Sequence, residues 1–170
     1  MIGQREVSPL ADGYRVLFVC TGNTCRSVIA MHVLRRELAE AGLAGEVASA
    51  GLRVRAEGEA ADPRAQDVLR RHGYDSEHRT RQFDRAMLAG SDLVIGLDSM
   101  HVWVLRQAAA DEAAAARIRL LGSFDVATPT GWDVPDPVTG GPADYERVLG
   151  LVRSAMPGVV GAVRAGLAAD

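Results

Sequence analysis

The stretch YRVLFVCTGNTCRSVIAMHVLRREL, residues 14–38, decides the fold. Its opening, Tyr14 to Val19, is a short apolar and β-branched run that ends abruptly in a polar loop, the pattern of a buried parallel strand. From Ser27 the periodicity changes: Val28, Met31, Val33, Leu34 and Leu38 recur at helical spacing, and Gly42 supplies a stop. Between strand and helix lies Cys20-Thr21-Gly22-Asn23-Thr24-Cys25-Arg26-Ser27. A tight loop so placed turns several backbone N–H groups into one concavity, and the positive end of the following helix faces the same point. It is suited to an oxyanion such as phosphate.

Outward from this unit, strands and helices alternate. A second strand is expected at Val47 to Ala50, and Asp62 and Pro63 form an N-cap and first-turn pair opening a helix through Val68 and Leu69 that Gly73 closes. Asp92 to Leu97 reads as a third buried strand, with Ser99 capping a helix that carries Val102, Val104 and Leu105. The Ala-rich segment around Ala113 continues helical structure before a strand at Ile118 to Leu121. The last helix starts near Pro142, and its stripe from Tyr145 to Leu167 stays in phase past Pro157, which predicts one bent helix rather than two. The alternation predicts an α/β fold: a three-layer α/β/α arrangement with a four-stranded parallel sheet flanked by helices and ligands at the strand carboxyl ends. Residues 1–13 read as a flexible leader and 14–170 as a single domain.

Composition narrows the function classes. With 48% apolar and 24% charged residues the chain is balanced as a soluble domain, and no uninterrupted apolar run approaches the ~18 residues of a membrane span. The N-terminus lacks the apolar stretch of a signal peptide, so a cytoplasmic location with no membrane partner is expected. A net charge of -3 offers no global field for nucleic acid. Two cysteines are too few for a disulfide scaffold and have no His or Cys cluster to complete a zinc site. They are expected to be thiols with chemistry of their own, requiring neither metal nor cofactor.

Cys20, at the mouth of the loop, feels the helix N-terminus and Arg26, both of which favour a thiolate nucleophile. Arg26 can curl over the loop and donate two parallel hydrogen bonds to phosphoryl oxygens, which Lys cannot do. Ser27 can donate its hydroxyl to the thiolate. The plainer alternative makes Cys20 a buried strand-end thiol and Arg26 a surface charge. Cleavage of a phosphate ester also requires a proton for the leaving oxygen. Trp132-Asp133-Val134-Pro135-Asp136-Pro137 offers two carboxyls in a backbone restricted by proline. Asp136, between the prolines, and Asp133 both remain candidates on this reading, as does a simple capping role.

The segments VLFVCTGNTCRS at 16–27, SAG at 49–51, DPRA at 62–65, HRTRQF at 78–83, DLVIGLD at 92–98 and DVPDP at 133–137 together resemble the low-molecular-weight protein-tyrosine phosphatases over nearly the whole chain. The resemblance implies Cys20 as nucleophile, Arg26 as the transition-state clamp and Asp136, rather than Asp133, as general acid and then base. It implies that Asn23, Ser27, Ser49 and His78 form a network holding the loop, and that a monomer acts on a phosphorylated protein. Cys25, beside the nucleophile as in many members, implies a reversible disulfide with Cys20. Three departures bear on substrate. Val138 and Thr139 stand where many members carry aromatic residues, and Arg53 and Arg55 occupy the neighbouring rim. Thr24 resembles the phosphate loop of the bacterial protein-arginine phosphatase branch. The missing aromatics weaken stacking on a phosphotyrosine ring, whereas Arg53 and Arg55 repel a substrate guanidinium; phosphotyrosine is expected ahead of phosphoarginine, with small phosphomonoesters and a non-catalytic phosphoprotein-binding module as further alternatives. Arsenate reduction would require resolving cysteines outside the loop, and the sequence has none.

Overall fold

Side chains of β1 (Tyr14–Cys20) alternate between two apolar clusters: Val16, Phe18 and Cys20 join one face of the sheet, Leu17 and Val19 the other. Both faces are covered, which is why the strand reads as a continuous apolar run. The described residues are 13–128 and 130–169 of a computed structural model, so the expected leader lies outside them except for Gly13. β1 pairs in parallel with β2 (Gly45–Gly51) and β3 (Leu93–Gly96), and β3 with β4 (Ile118–Leu120), in the order β2-β1-β3-β4. On one face lie α1 (Arg26–Ala41), α2 (Pro63–Arg71) and α6 (Pro142–Ala169); on the other, α3 (Arg85–Ala89), α4 (Ser99–Ala108) and α5 (Glu112–Ala116). The three-layer α/β/α fold with four parallel strands is as expected. Because the chain crosses from one side of β1 to the other between β2 and β3, the carboxyl ends of β1 and β3 flank a switch-point crevice, the usual ligand site of such sheets.

Local signals explain most element ends. Gly42 adopts φ 64° and Leu43 N–H bonds back to Leu38 O at 3.0 Å, closing α1. Asp62 caps α2 by accepting from Arg64 N–H at 2.9 Å, and Gly73 follows its C-cap at φ 76°. Ser99, however, is not the cap of α4. Asp98 is: its side chain accepts from His101 N–H while His101 Nδ1 accepts from Asp98 N–H, a capping box with histidine in the place of the usual Glu or Gln. Leu121 leaves β4 to begin a 3-10 turn, Leu121–Phe124. The sequence reading passed over α3, whose five residues are too few to display a period.

α6 continues unbroken through Pro157, which is exposed, as is Arg153, the residue whose carbonyl the proline leaves without its helical donor. By length and composition α6 is apolar enough to cross a membrane, yet Tyr145, Val148, Leu149, Val152, Met156, Val159 and Val163 are buried in the core beside α1.

The turn after β4 is pressed against the segment that follows it. A Cβ added to Gly122 would meet the backbone nitrogen and oxygen of Trp132. Backbone cannot yield as a flexible side chain does, so Gly122→Ala is expected to destabilise by at least about 2 kcal/mol. Urea unfolding would read this as a lower midpoint at unchanged slope. Since Trp132 leads into the Asp136 loop, activity should fall with it.

Candidate active site

Cys20 ends β1 and Arg26 begins α1, so the five residues between them turn at the crevice. Asn23 makes the turn at φ 58°, a left-handed conformation that costs a non-glycine residue roughly 1 kcal/mol. Its fully buried polar groups offset the cost. Nδ2 donates to Ser27 Oγ at 3.0 Å and Ser49 Oγ at 2.9 Å, Oδ1 accepts from Arg81 N–H at 2.9 Å, and the carbonyl accepts from His78 Nε2 at 2.8 Å. Burial pushes the His78 imidazole down, in keeping with a neutral ring donating one proton here. Asn23 N–H donates to Cys20 Sγ at 3.3 Å. Because Ser27 Oγ already accepts from Asn23, its own proton is available to Sγ, 3.0 Å away. Asn23 thus joins Ser27, Ser49 and His78 by hydrogen bonds, and of these groups Ser27 Oγ and Asn23 N–H reach the sulfur. Gly51 backs the loop so closely that a Cβ would stand 2.8 Å from Thr21 O and 2.9 Å from Asn23 N.

The N-terminus of α1 has neither a side-chain cap nor an acidic residue in its first turn. Its unpaired N–H groups and positive dipole end are therefore left for an anion.

Arg26 is 4% exposed. One terminal nitrogen donates to Asp98 Oδ2 at 2.9 Å and to Val134 O at 3.0 Å; the other lies 3.5 Å from Thr21 Oγ1 and 3.6 Å from Asp136 Oδ2. The two candidate acids are separated by their surroundings. Asp133 turns away to accept from Ser99 N–H at 2.9 Å and Ser99 Oγ at 2.6 Å. Asp136, whose side chain is 49% exposed, lines a cavity of about 160 Å3 with Cys20, Thr21, Arg26 and Val138. The loop carrying it is tied at both ends: Val134 N–H donates to Leu97 O, and Arg64 donates to Val138 O and Gly140 O.

Gly22, Thr24 and Cys25 also line this cavity. Of the expected rim, Val138 borders it, Arg55 borders an adjoining depression of about 380 Å3 that shares Gly22 and Thr24, and Thr139 lines neither. Cys25 is a free thiol, as is Cys20; it lies 3.4 Å from Tyr145 Oη, and burial pushes its thiol up. Sequence reasoning missed two of these participants, Asp98 and the Val134 carbonyl. For Asp98 a signal existed, an acidic residue directly after the third buried strand, where switch-point ligands gather.

A family model described as low molecular weight phosphotyrosine protein phosphatase matches residues 15–168. A low molecular weight protein-tyrosine-phosphatase of Streptomyces coelicolor is 47% identical over 154 residues, covering 89% of this chain and 94% of that protein. The crystal structure of a protein tyrosine phosphatase from Entamoeba histolytica with Hepes in the active site is similar at a TM-score of 0.84 and 26% identity, over 91% of this chain and 99% of that one. A YwlE arginine phosphatase from Geobacillus stearothermophilus is similar at a TM-score of 0.77 and 29% identity, over 90% and 94%. The sequence match and the shared fold both run over nearly the whole chain, which belongs to the low molecular weight phosphotyrosine protein phosphatase family.

Proposed function

We propose that this phosphatase hydrolyses phosphotyrosine in proteins through a phosphocysteine on Cys20. The observation that carries the reading is the sulfur's setting: Cys20 Sγ receives Ser27 Oγ and Asn23 N–H at the wall of a small cavity that also holds Arg26 and Asp136. The thiolate attacks phosphorus in line, the sulfur–phosphorus bond forms as the ester bond breaks, and Asp136 gives its proton to the leaving oxygen. Asp136, now a carboxylate, takes a proton from the water that attacks phosphocysteine, returning phosphate and free thiolate. Loop amides, the α1 N-terminus and Arg26 stabilise the equatorial oxygens in both steps. The chemistry calls for no metal or cofactor, and one chain supplies every group, so a monomer suffices. Cys25, in the same cavity wall, can protect Cys20 against over-oxidation: when a peroxide oxidises Cys20 to the sulfenic acid, the Cys25 sulfur attacks it, the S–S bond forms and the oxygen leaves as water.

Thr24 favours a second reading. It lines both the cavity and the adjoining depression, where its hydroxyl can accept from a substrate guanidinium. The depression carries one charge of each sign: Arg55 repels the same cation and favours acidic sequence around the phosphorylated residue, whereas Glu59 attracts it. Matched phosphotyrosine and phosphoarginine peptides decide the matter. We expect kcat/KM to favour phosphotyrosine by about tenfold or more, ~1.4 kcal/mol. The reverse preference would make this a protein-arginine phosphatase.

A further inference from the structure

His101 is 2% exposed and sits in the first turn of α4. Its backbone N–H donates to Asp98 Oδ1 at 2.9 Å, its Nδ1 faces Asp98 N–H at 3.1 Å, and its Nε2 lies 2.9 Å from Thr21 Oγ1. A backbone N–H can only donate, so Nδ1 is the bare nitrogen and the ring proton sits on Nε2, from which it is donated to Thr21. Burial pushes the imidazole down to about 4, which keeps this neutral tautomer in place at neutral pH.

The two residues that His101 holds are the two that flank Arg26. Asp98 Oδ2 takes one terminal nitrogen of the guanidinium, and Thr21 Oγ1 lies beside the other. A helix cap alone has no use for this arrangement, since Glu or Gln satisfies the same backbone N–H and would stop there. The imidazole continues past the cap, across a sequence separation of 80 residues, to a side chain in the phosphate loop.

We propose that His101 is a positioning residue for Arg26, fixing the guanidinium fork from both sides through Asp98 and Thr21. The inference rests on Arg26 being the phosphate clamp. A fork held in this way is aimed before phosphate arrives, so its benefit appears where the equatorial oxygens spread in the transition state. When Nε2–H is removed, the Thr21 hydroxyl is free to rotate and Arg26 loses one of its guides. Turnover then falls more than ground-state binding.

The test compares His101→Gln, which retains an acceptor for the Asp98 cap, with Thr21→Val, Thr21→Ser and the His101→Gln/Thr21→Val double variant. Steady-state rates on a phosphotyrosine peptide are measured beside inhibition by vanadate, which mimics the trigonal-bipyramidal state, and by inorganic phosphate. The expected result is a loss of about tenfold in kcat for each of His101→Gln and Thr21→Val, with KM changed less than about threefold. Vanadate should weaken about tenfold while phosphate stays within about threefold. The double variant should be no worse than the poorer single, since both cut the same bond, and Thr21→Ser should recover to within about threefold of the parent. Wild-type kcat in either single variant, multiplying losses in the double, or equal weakening of vanadate and phosphate would overturn the proposal. If His101→Gln does not fold, the contrast between Thr21→Val and Thr21→Ser, with the vanadate-to-phosphate comparison, still decides it. An Arg26→Lys enzyme with full activity would instead sink the clamp reading itself.

Discussion

Replacing Cys20 by serine is expected to leave a folded protein with at least about 10^4-fold less turnover. The substitution changes one buried atom. Ser27 Oγ and Asn23 N–H, which lie 3.0 and 3.3 Å from the sulfur, can still meet an oxygen, so the midpoint of thermal unfolding should move by only a few degrees. What is lost is the nucleophile: sulfur is intrinsically far more nucleophilic at neutral pH than a serine hydroxyl in the same place. Inorganic phosphate should bind nearly as before, because the loop amides, the α1 N-terminus and Arg26 are untouched. Calorimetric titration of phosphate together with rates on an aryl phosphate checks both halves. Retention of more than about one hundredth of parental turnover would remove Cys20 from the nucleophile's role.

The second large effect is expected at Asp136. Asp136→Asn should lower kcat on a phosphotyrosine peptide by about 10^2- to 10^4-fold, the range a general acid contributes. The loss should shrink in the first step for an activated aryl phosphate, whose leaving group needs no proton. Asp133→Asn is the contrasting variant. Asp133 holds the start of α4 through Ser99 rather than lining the cavity, so its effect should fall mainly on stability. A larger kinetic loss at Asp133 than at Asp136 would reverse the assignment.

The loop was readable because its parts are local: strand, turn and helix follow one another within residues 14–41, and each has its own periodicity or turn signal. The network behind it was reached through resemblance, since Ser49 and His78 meet Asn23 only in three dimensions. The surroundings of Arg26 were not readable. Its partners lie 72 and 108 residues away, and one is a backbone carbonyl, which has no signature in sequence. His101 escaped notice for a different reason. The sequence reading assigned the cap to Ser99, one residue late, and with Asp98 overlooked the residue three positions on had no reason to be a capping partner. At the rim, Arg55 and Val138 fell on the two neighbouring depressions while Thr139, beside Val138 in sequence, lines neither. Adjacent loop residues need not face one opening.

The central claim is that the phosphoryl group passes to Cys20 before it reaches water. Asp136→Asn makes this step visible, because an activated aryl phosphate can still transfer its phosphoryl group while the base for the second step is missing. The variant is mixed with that substrate, quenched in acid within the first turnover, digested and mapped by mass spectrometry. One phosphoryl group on the peptide containing Cys20, with a matching burst of the aryl product, is the predicted result. Product release without an adduct, or an adduct on any other residue, would contradict the account.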